Sequence, residues 1–161
     1  MFTYRFATES DYNEIWGIIE KVISTADSYV FAPSSSRQKL LNYWCNNEVQ
    51  TYVVCDGEVI VGTFLLRDNQ PDLGSHVVNA AFMTRPGHGG KGIGRFMAES
   101  AIDLARQSGY KGMQFNFVIK SNQRAVQLWL KLGFSIVGEI PEAFAHPTYG
   151  LTNVYVMYKK L

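Results

Sequence analysis

Cysteine is scarce in this 161-residue chain. Cys45 and Cys55 are the only two, too few for a disulfide framework and without the paired spacing of a metal site. That scarcity suits a reducing compartment, and the cytoplasm is the expected location. Charge of either sign is not in excess: fifteen Lys and Arg oppose fourteen Asp and Glu, for a net charge of +1. No long-range field therefore gathers nucleic acid or an anionic membrane, and neither is an expected partner. No run approaches the roughly 20 apolar residues that span a bilayer. The segment Met1 to Thr8 lacks the basic region and apolar stretch of a signal peptide and alternates as a strand does. His76, His88 and His146 stand apart, without i, i+4 spacing, so no metal set is expected.

What is present is material for one core. Hydrophobic residues make up 47% of the chain and charged residues 18%, as in a globular domain, and the length fits a single domain over residues 1–161. Thr3 to Thr8 reads as a strand, and Ser10 or Asp11, with Glu14 following, as the start of a helix. In that helix Ile15, Ile18, Ile19, Val22 and Ile23 share one face. Serines near residue 35 can cap a second helix through Leu40, Leu41 and Trp44. Two β-rich runs from Thr51 to Arg67 flank Asp56-Gly57, a hairpin signal.

A buried strand is expected over Val77 to Thr84, then a glycine-rich segment, a helix from Ile93 to about Gln107, and a second buried strand over Met113 to Ile119. A helix from Asn122 to Leu132 stops at Gly133. Phe134 to Ile140 and Val154 to Tyr158 close the chain as strands around a loop containing Pro141, Pro147 and Gly150. The order βααβββαβαββ places a βαβ crossover in a partly antiparallel arrangement, which gives an α/β or α+β fold with a mixed sheet.

Five of the 14 glycines, Gly87, Gly89, Gly90, Gly92 and Gly94, lie between a strand and an amphipathic helix. Glycine permits positive φ and close approach to the amides, and a helix N-terminus offers free N–H groups with partial positive charge. A phosphate or pyrophosphate suits that junction, the alternative being a connecting loop without a ligand. A P-loop is ruled out because Lys91 is followed by Gly92 and not by Ser or Thr. Gly87, Gly89 and Gly92 fit G-x-G-x-x-G, yet the next strand ends in Ile119-Lys120 with no acidic residue for a ribose.

Gly89-Gly90-Lys91-Gly92-Ile93-Gly94 resembles the signature of the GCN5-related N-acetyltransferases (GNAT), in which Gln or Arg is followed by two residues, Gly, one residue, and Gly or Ala. Gly89 departs at the first place. A second block of that family, an Asn, two residues, Ala and a helix ending in Leu-Gly-Phe, is matched by Asn122, Ala125, Leu132, Gly133 and Phe134. The resemblance implies a mixed, splayed central β-sheet flanked by helices, with acetyl-coenzyme A between the two central strands. It places the pyrophosphate on Gly89, Gly90, Lys91, Gly92, Ile93 and Gly94, the pantetheine beside Phe82, Met83 and Thr84, and Asn122 and Trp129 against the cofactor. It also implies a small-molecule amine as acceptor, and a homodimer is a habit of the family.

Many relatives carry a Glu on the strand before the glycine loop as base and a Tyr before Leu-Gly-Phe as acid. Val77 to Thr84 has no carboxylate, and Trp129 stands in the tyrosine's place. An indole N–H can donate a hydrogen bond but not a proton, and core packing alone also explains Trp129. Asn79 and Asn116 interrupt the two central strands, where asparagine is depleted and costly to bury unpaired. They either satisfy a bulge or strand end, or face the cleft and hold the amine. The runs Val78-Asn79-Ala80-Ala81-Phe82 and Phe115-Asn116-Phe117-Val118, with Leu41-Asn42-Tyr43-Trp44, resemble fungal N-acetyltransferases of proline analogues, and the resemblance makes Asn79 and Asn116 the catalytic candidates. Tyr29, Phe31, Phe144 and Tyr149 could wall a pocket or simply pack in loops. The missing Glu and Tyr keep open a module that binds acetyl-coenzyme A without turnover, and peptide acetylation is a further alternative.

Overall fold

The computed structural model describes residues 1–161. Seven strands form one sheet in the order β1-β2-β3-β4-β5-β7-β6. The strands are β1 (Phe2–Phe6), β2 (Gln50–Asp56), β3 (Val59–Asp68), β4 (Val77–Thr84), β5 (Gly112–Ile119), β6 (Ser135–His146) and β7 (Gly150–Lys160). Four helices accompany them: α1 (Tyr12–Ile23), α2 (Arg37–Trp44), α3 (Ile93–Gln107) and α4 (Gln123–Lys131). Every neighbouring pair is antiparallel except β4 and β5, the pair joined by the α3 crossover. This is the mixed sheet that the element order demands.

Each face of the sheet has its own core. On one face Ile15, Ile18, Ile19 and Ile23 of α1 are buried with Leu40 and Trp44 of α2. They pack on Val53, Leu65 and Met83 of the sheet. The Trp44 indole donates to Thr63 Oγ1 at 3.0 Å, and Thr63 in turn donates to the Tyr52 carbonyl at 2.8 Å, so the fully buried hydroxyl is satisfied. On the other face Met97, Ala98 and Ala101 of α3 and Val126 and Trp129 of α4 cover Phe64, Val78 and Phe115. At Gly62 a Cβ would lie 2.9 Å from Met97 Sδ, so the absent side chain is what lets α3 sit close to β3.

Two elements differ from the sequence expectation. The capping box belongs to Thr8 and Asp11, one turn earlier than Asp11 and Glu14, and opens a short 3-10 turn ahead of α1. Strand β6 also runs on past Pro141 to His146. A register shift against β7 between Ile140 and Phe144 lifts the proline out of the ladder, and Glu142 takes a positive φ of 51° there.

Asp11 is buried, accepts a bidentate pair from Arg5 at 2.7 and 2.8 Å, and accepts from the Thr8 amide at 2.8 Å. Hydrogen bonding from Arg5 holds its carboxyl down at about 2. A depressed folded-state pKa gives stability that is complete above the ordinary carboxylate range and is lost as pH falls through about 2. Asp11→Asn should therefore lower stability by about 1–3 kcal/mol near neutrality. Urea unfolding at pH 6 and pH 2.5 checks this, the gap between wild type and variant narrowing at the lower pH.

Candidate active site

The glycine segment folds as an open cradle on the N-terminus of α3. Gly87, Gly90 and Gly92 have φ of 86°, 81° and 85°, and Gly92 is the N-cap, with no side chain to cap the helix. None of the backbone amides from Gly89 through Arg95 donates to a protein acceptor. Unpaired amides in succession, at the positive end of a 15-residue helix, form a site for an anion. A Cβ added at Gly90 or Gly92 would meet nothing within 4 Å, so the cradle is open on that side. The Arg124 guanidinium lies over Gly89, 3.7 Å from where its Cβ would stand, and is engaged in no salt bridge. Lys91 is exposed on the same loop. The residues present therefore fit a pyrophosphate.

Beside the cradle the sheet splays. β4 and β5 pair only at Val77 with Gly112 and Val78 with Met113, after which the ladder ends. Asn79 comes next, and its Nδ2 donates to the Gln114 carbonyl at 2.9 Å, bridging the first gap of the opening cleft. Its Oδ1 accepts no hydrogen bond from the protein. Across the cleft Gln114 Nε2 donates to Asn116 Oδ1 at 2.9 Å, and Asn116 Nδ2 donates to Asn69 Oδ1 at 2.6 Å. Asn79 and Asn116 are thus joined through Gln114. Half-buried Asn79 lies at the apex, and exposed Asn116 further out.

The other candidates are placed as follows. The Phe82 ring lies on the α3/α4 face with its centroid 5.1 Å from Trp129. Met83 points its side chain the opposite way, into the core under α1, and its carbonyl lies toward Gly62 on β3, so neither faces the cleft. Thr84 ends β4. Trp129, 9% exposed, packs at 4.5 Å from Phe115 and 5.8 Å from Phe134, closing the floor between β4 and β5. Asn122 is the N-cap of α4, its side chain accepting from the Ala125 amide at 3.3 Å. Ile93 is buried at the first turn of α3, and Gly94 follows. The four loop aromatics separate: Tyr29 and Phe31 lie together near α2, whereas Phe144 packs with Ile119 and Val154 and Tyr149 is exposed.

Tyr29 holds a place that a pocket-wall reading does not suggest. Its hydroxyl donates to the Phe82 carbonyl and accepts from the Phe82 amide at 3.1 Å. The phenol thus takes both backbone groups of a β4 residue at the level where β5 has moved away. Burial raises the Tyr29 pKa, so the phenol is a neutral donor and not a base. Burial likewise lifts the Cys45 thiol to about 11, which removes it as a nucleophile. Neither β4 nor β5 carries Asp, Glu or His.

Comparison with known proteins agrees with this arrangement. The profile of the Acetyltransferase (GNAT) family matches residues 16–134. The N-acetyltransferase aca1 of Schizosaccharomyces pombe is 36% identical over 84 residues, which are 52% of this chain and 40% of that protein. The matched stretch spans less than half of that protein's length. A GCN5-related N-acetyltransferase structure from Kribbella flavida superposes with a TM-score of 0.93 at 32% identity, over 99% of this chain and 98% of that one. The yncA protein of Salmonella typhimurium, a putative acetyltransferase solved with acetyl-CoA, gives a TM-score of 0.86 at 22% identity, covering 100% of this chain and 94% of that one. With the cradle, the splayed cleft and a family profile over most of its length, the chain belongs to the acetyltransferase (GNAT) family.

Proposed function

We propose that this domain acetylates the amine of a small amino or imino acid, or an analogue of one, in the cytoplasm that its two free thiols suit. The observation that carries the reading is the make-up of the cleft: apart from the Thr84 hydroxyl at the end of β4, the polar side chains of its two strands are neutral amides, Asn79, Gln114 and Asn116. Bound acetyl-coenzyme A supplies a thioester, to whose carbonyl carbon the amine nitrogen adds while the C–S bond breaks, the thiolate leaves and the amine proton passes to water. Arg124, Lys91 and the amides from Gly89 to Arg95 hold the donor's pyrophosphate. Asn79 and Asn116 orient the amine, and the free Oδ1 of Asn79 accepts an N–H from it. Such groups position a nitrogen that arrives neutral and remove no proton themselves.

The reaction should therefore depend on pH through the substrate. Plots of log kcat/KM should rise with a slope of one toward the pKa of the amine itself and shift when an amine of different pKa is used. An inflection that stays fixed between about pH 6 and 8 across amines would reveal an enzyme base and overturn the mechanism. Thiol release in the presence of free amino acids, imino acids, polyamines and a lysine-bearing peptide tests the acceptor. Efficient use of the peptide would remove the small-molecule reading, and donor binding without turnover on any amine would identify a non-catalytic module.

A further inference from the structure

Arg67 is a half-buried cation without a counter-ion. It lies near the end of β3 and pairs across the ladder with Asn79, so the two side chains share the face of the sheet covered by α1 and α2. Its guanidinium carbon stands 4.2 Å over the Tyr43 ring. Of its five N–H donors one finds an acceptor, Nη2 to the Tyr43 carbonyl at 3.3 Å, and Nε is buried with none. No carboxylate lies within salt-bridge distance, whereas Arg5, Arg85, Arg95 and Arg106 each have one. The neighbouring Asp68 accepts from the Tyr110 hydroxyl at 2.6 Å. The Tyr43 ring beneath the guanidinium continues through Phe31 at 4.9 Å to Tyr29, whose hydroxyl reaches the cleft at Phe82.

We infer that Arg67 is the anchor for the carboxylate of the acceptor amino or imino acid, holding it so that the nitrogen lies against Asn79. A half-buried guanidinium with free donors is satisfied by an anion, and its planar fork matches a carboxylate's two oxygens. Tyr43 keeps the plane of that fork fixed, which spares the ordering of a long flexible side chain on binding. The placement beside Asn79 suits a ligand whose anion and nitrogen are close together, as in an α-amino or α-imino acid, and not a polyamine. The inference rests on the small-amine reading above and goes beyond it by naming the residue that selects the acid.

Initial rates on a panel of free α-amino and α-imino acids and their primary amides test it, with wild type, Arg67→Gln and Arg67→Lys. Wild type should prefer each accepted acid to its amide. Arg67→Gln should raise KM for the acid by about 10- to 100-fold and the amide's far less, with Arg67→Lys in between. Acetyl-coenzyme A affinity, which Arg67 does not touch, shows that each variant is folded. The acid-to-amide comparison on wild type needs no variant at all. Wild-type indifference between acid and amide, or an undiminished acid preference in a folded Arg67→Gln, overturns the anchor while the small-amine reading stands. Acetylation confined to polyamines or peptide overturns that reading and the anchor with it.

Discussion

Gly94→Asp should abolish acetyl-coenzyme A binding in a protein at least as stable as wild type. Gly94 is the second residue of α3, and a Cβ there meets only Leu128 Cδ2 at 3.9 Å, an ordinary contact. An aspartate in a first helical turn complements the dipole, by about 0.3–1 kcal/mol, and replaces a glycine that costs a helix roughly 1 kcal/mol. The same carboxylate occupies the amides that hold the pyrophosphate and repels it. Losing two charge-assisted hydrogen bonds amounts to about 3–6 kcal/mol, which is roughly 100-fold or more in Kd. Gly92→Asp should also block binding, but its φ of 85° adds backbone strain and makes it the less clean probe. Calorimetric titration with acetyl-coenzyme A beside a thermal melt decides the matter: wild-type affinity in Gly94→Asp would mean that the cradle is not the donor site.

That cradle was legible because its chemistry is local. Five glycines ahead of an apolar-periodic helix state a strand-to-helix junction with exposed amides, and the expected helix bounds, Ile93 to Gln107, are those of α3. Where the meaning of a residue depends on what the chain brings to it from afar, the sequence is silent. Tyr29 contacts a backbone 53 positions away, in a loop with no periodicity to place it. Arg67 reads as an ordinary strand-end charge until β4 sets Asn79 beside it and the fold leaves it without an anion. Arg124 lies on the exposed side of α4 by pattern, and only the packing of that helix brings it over Gly89. The end of β6 was missed for the opposite reason: Pro141 is a valid local stop signal, and the bulge that overrides it is a property of the pairing with β7.

Asn79→Ala should lower kcat/KM for the acceptor by about 100-fold, and Asn116→Ala by about tenfold, with acetyl-coenzyme A affinity nearly intact in both. The difference between the two follows from their bonds. Asn79 spans the apex of the cleft, spends its Nδ2 on the Gln114 carbonyl and keeps Oδ1 free, so alanine removes both the bridge and the acceptor offered to the amine. Asn116 has Oδ1 and Nδ2 already engaged by Gln114 and Asn69, in an exposed position, so its loss slackens the outer wall and leaves the apex standing. Neither touches the amides of the glycine cradle, which is why donor affinity should hold. The measurement is steady-state kinetics at saturating donor with the acceptor varied, together with calorimetric titration of the donor. Equal turnover by wild type and both folded variants would assign the asparagines to the sheet alone and move the amine site elsewhere. A collapse of donor affinity in Asn79→Ala would show instead that the bridge to Gln114 holds the cleft open for the thioester, and that its role is in shaping the donor site.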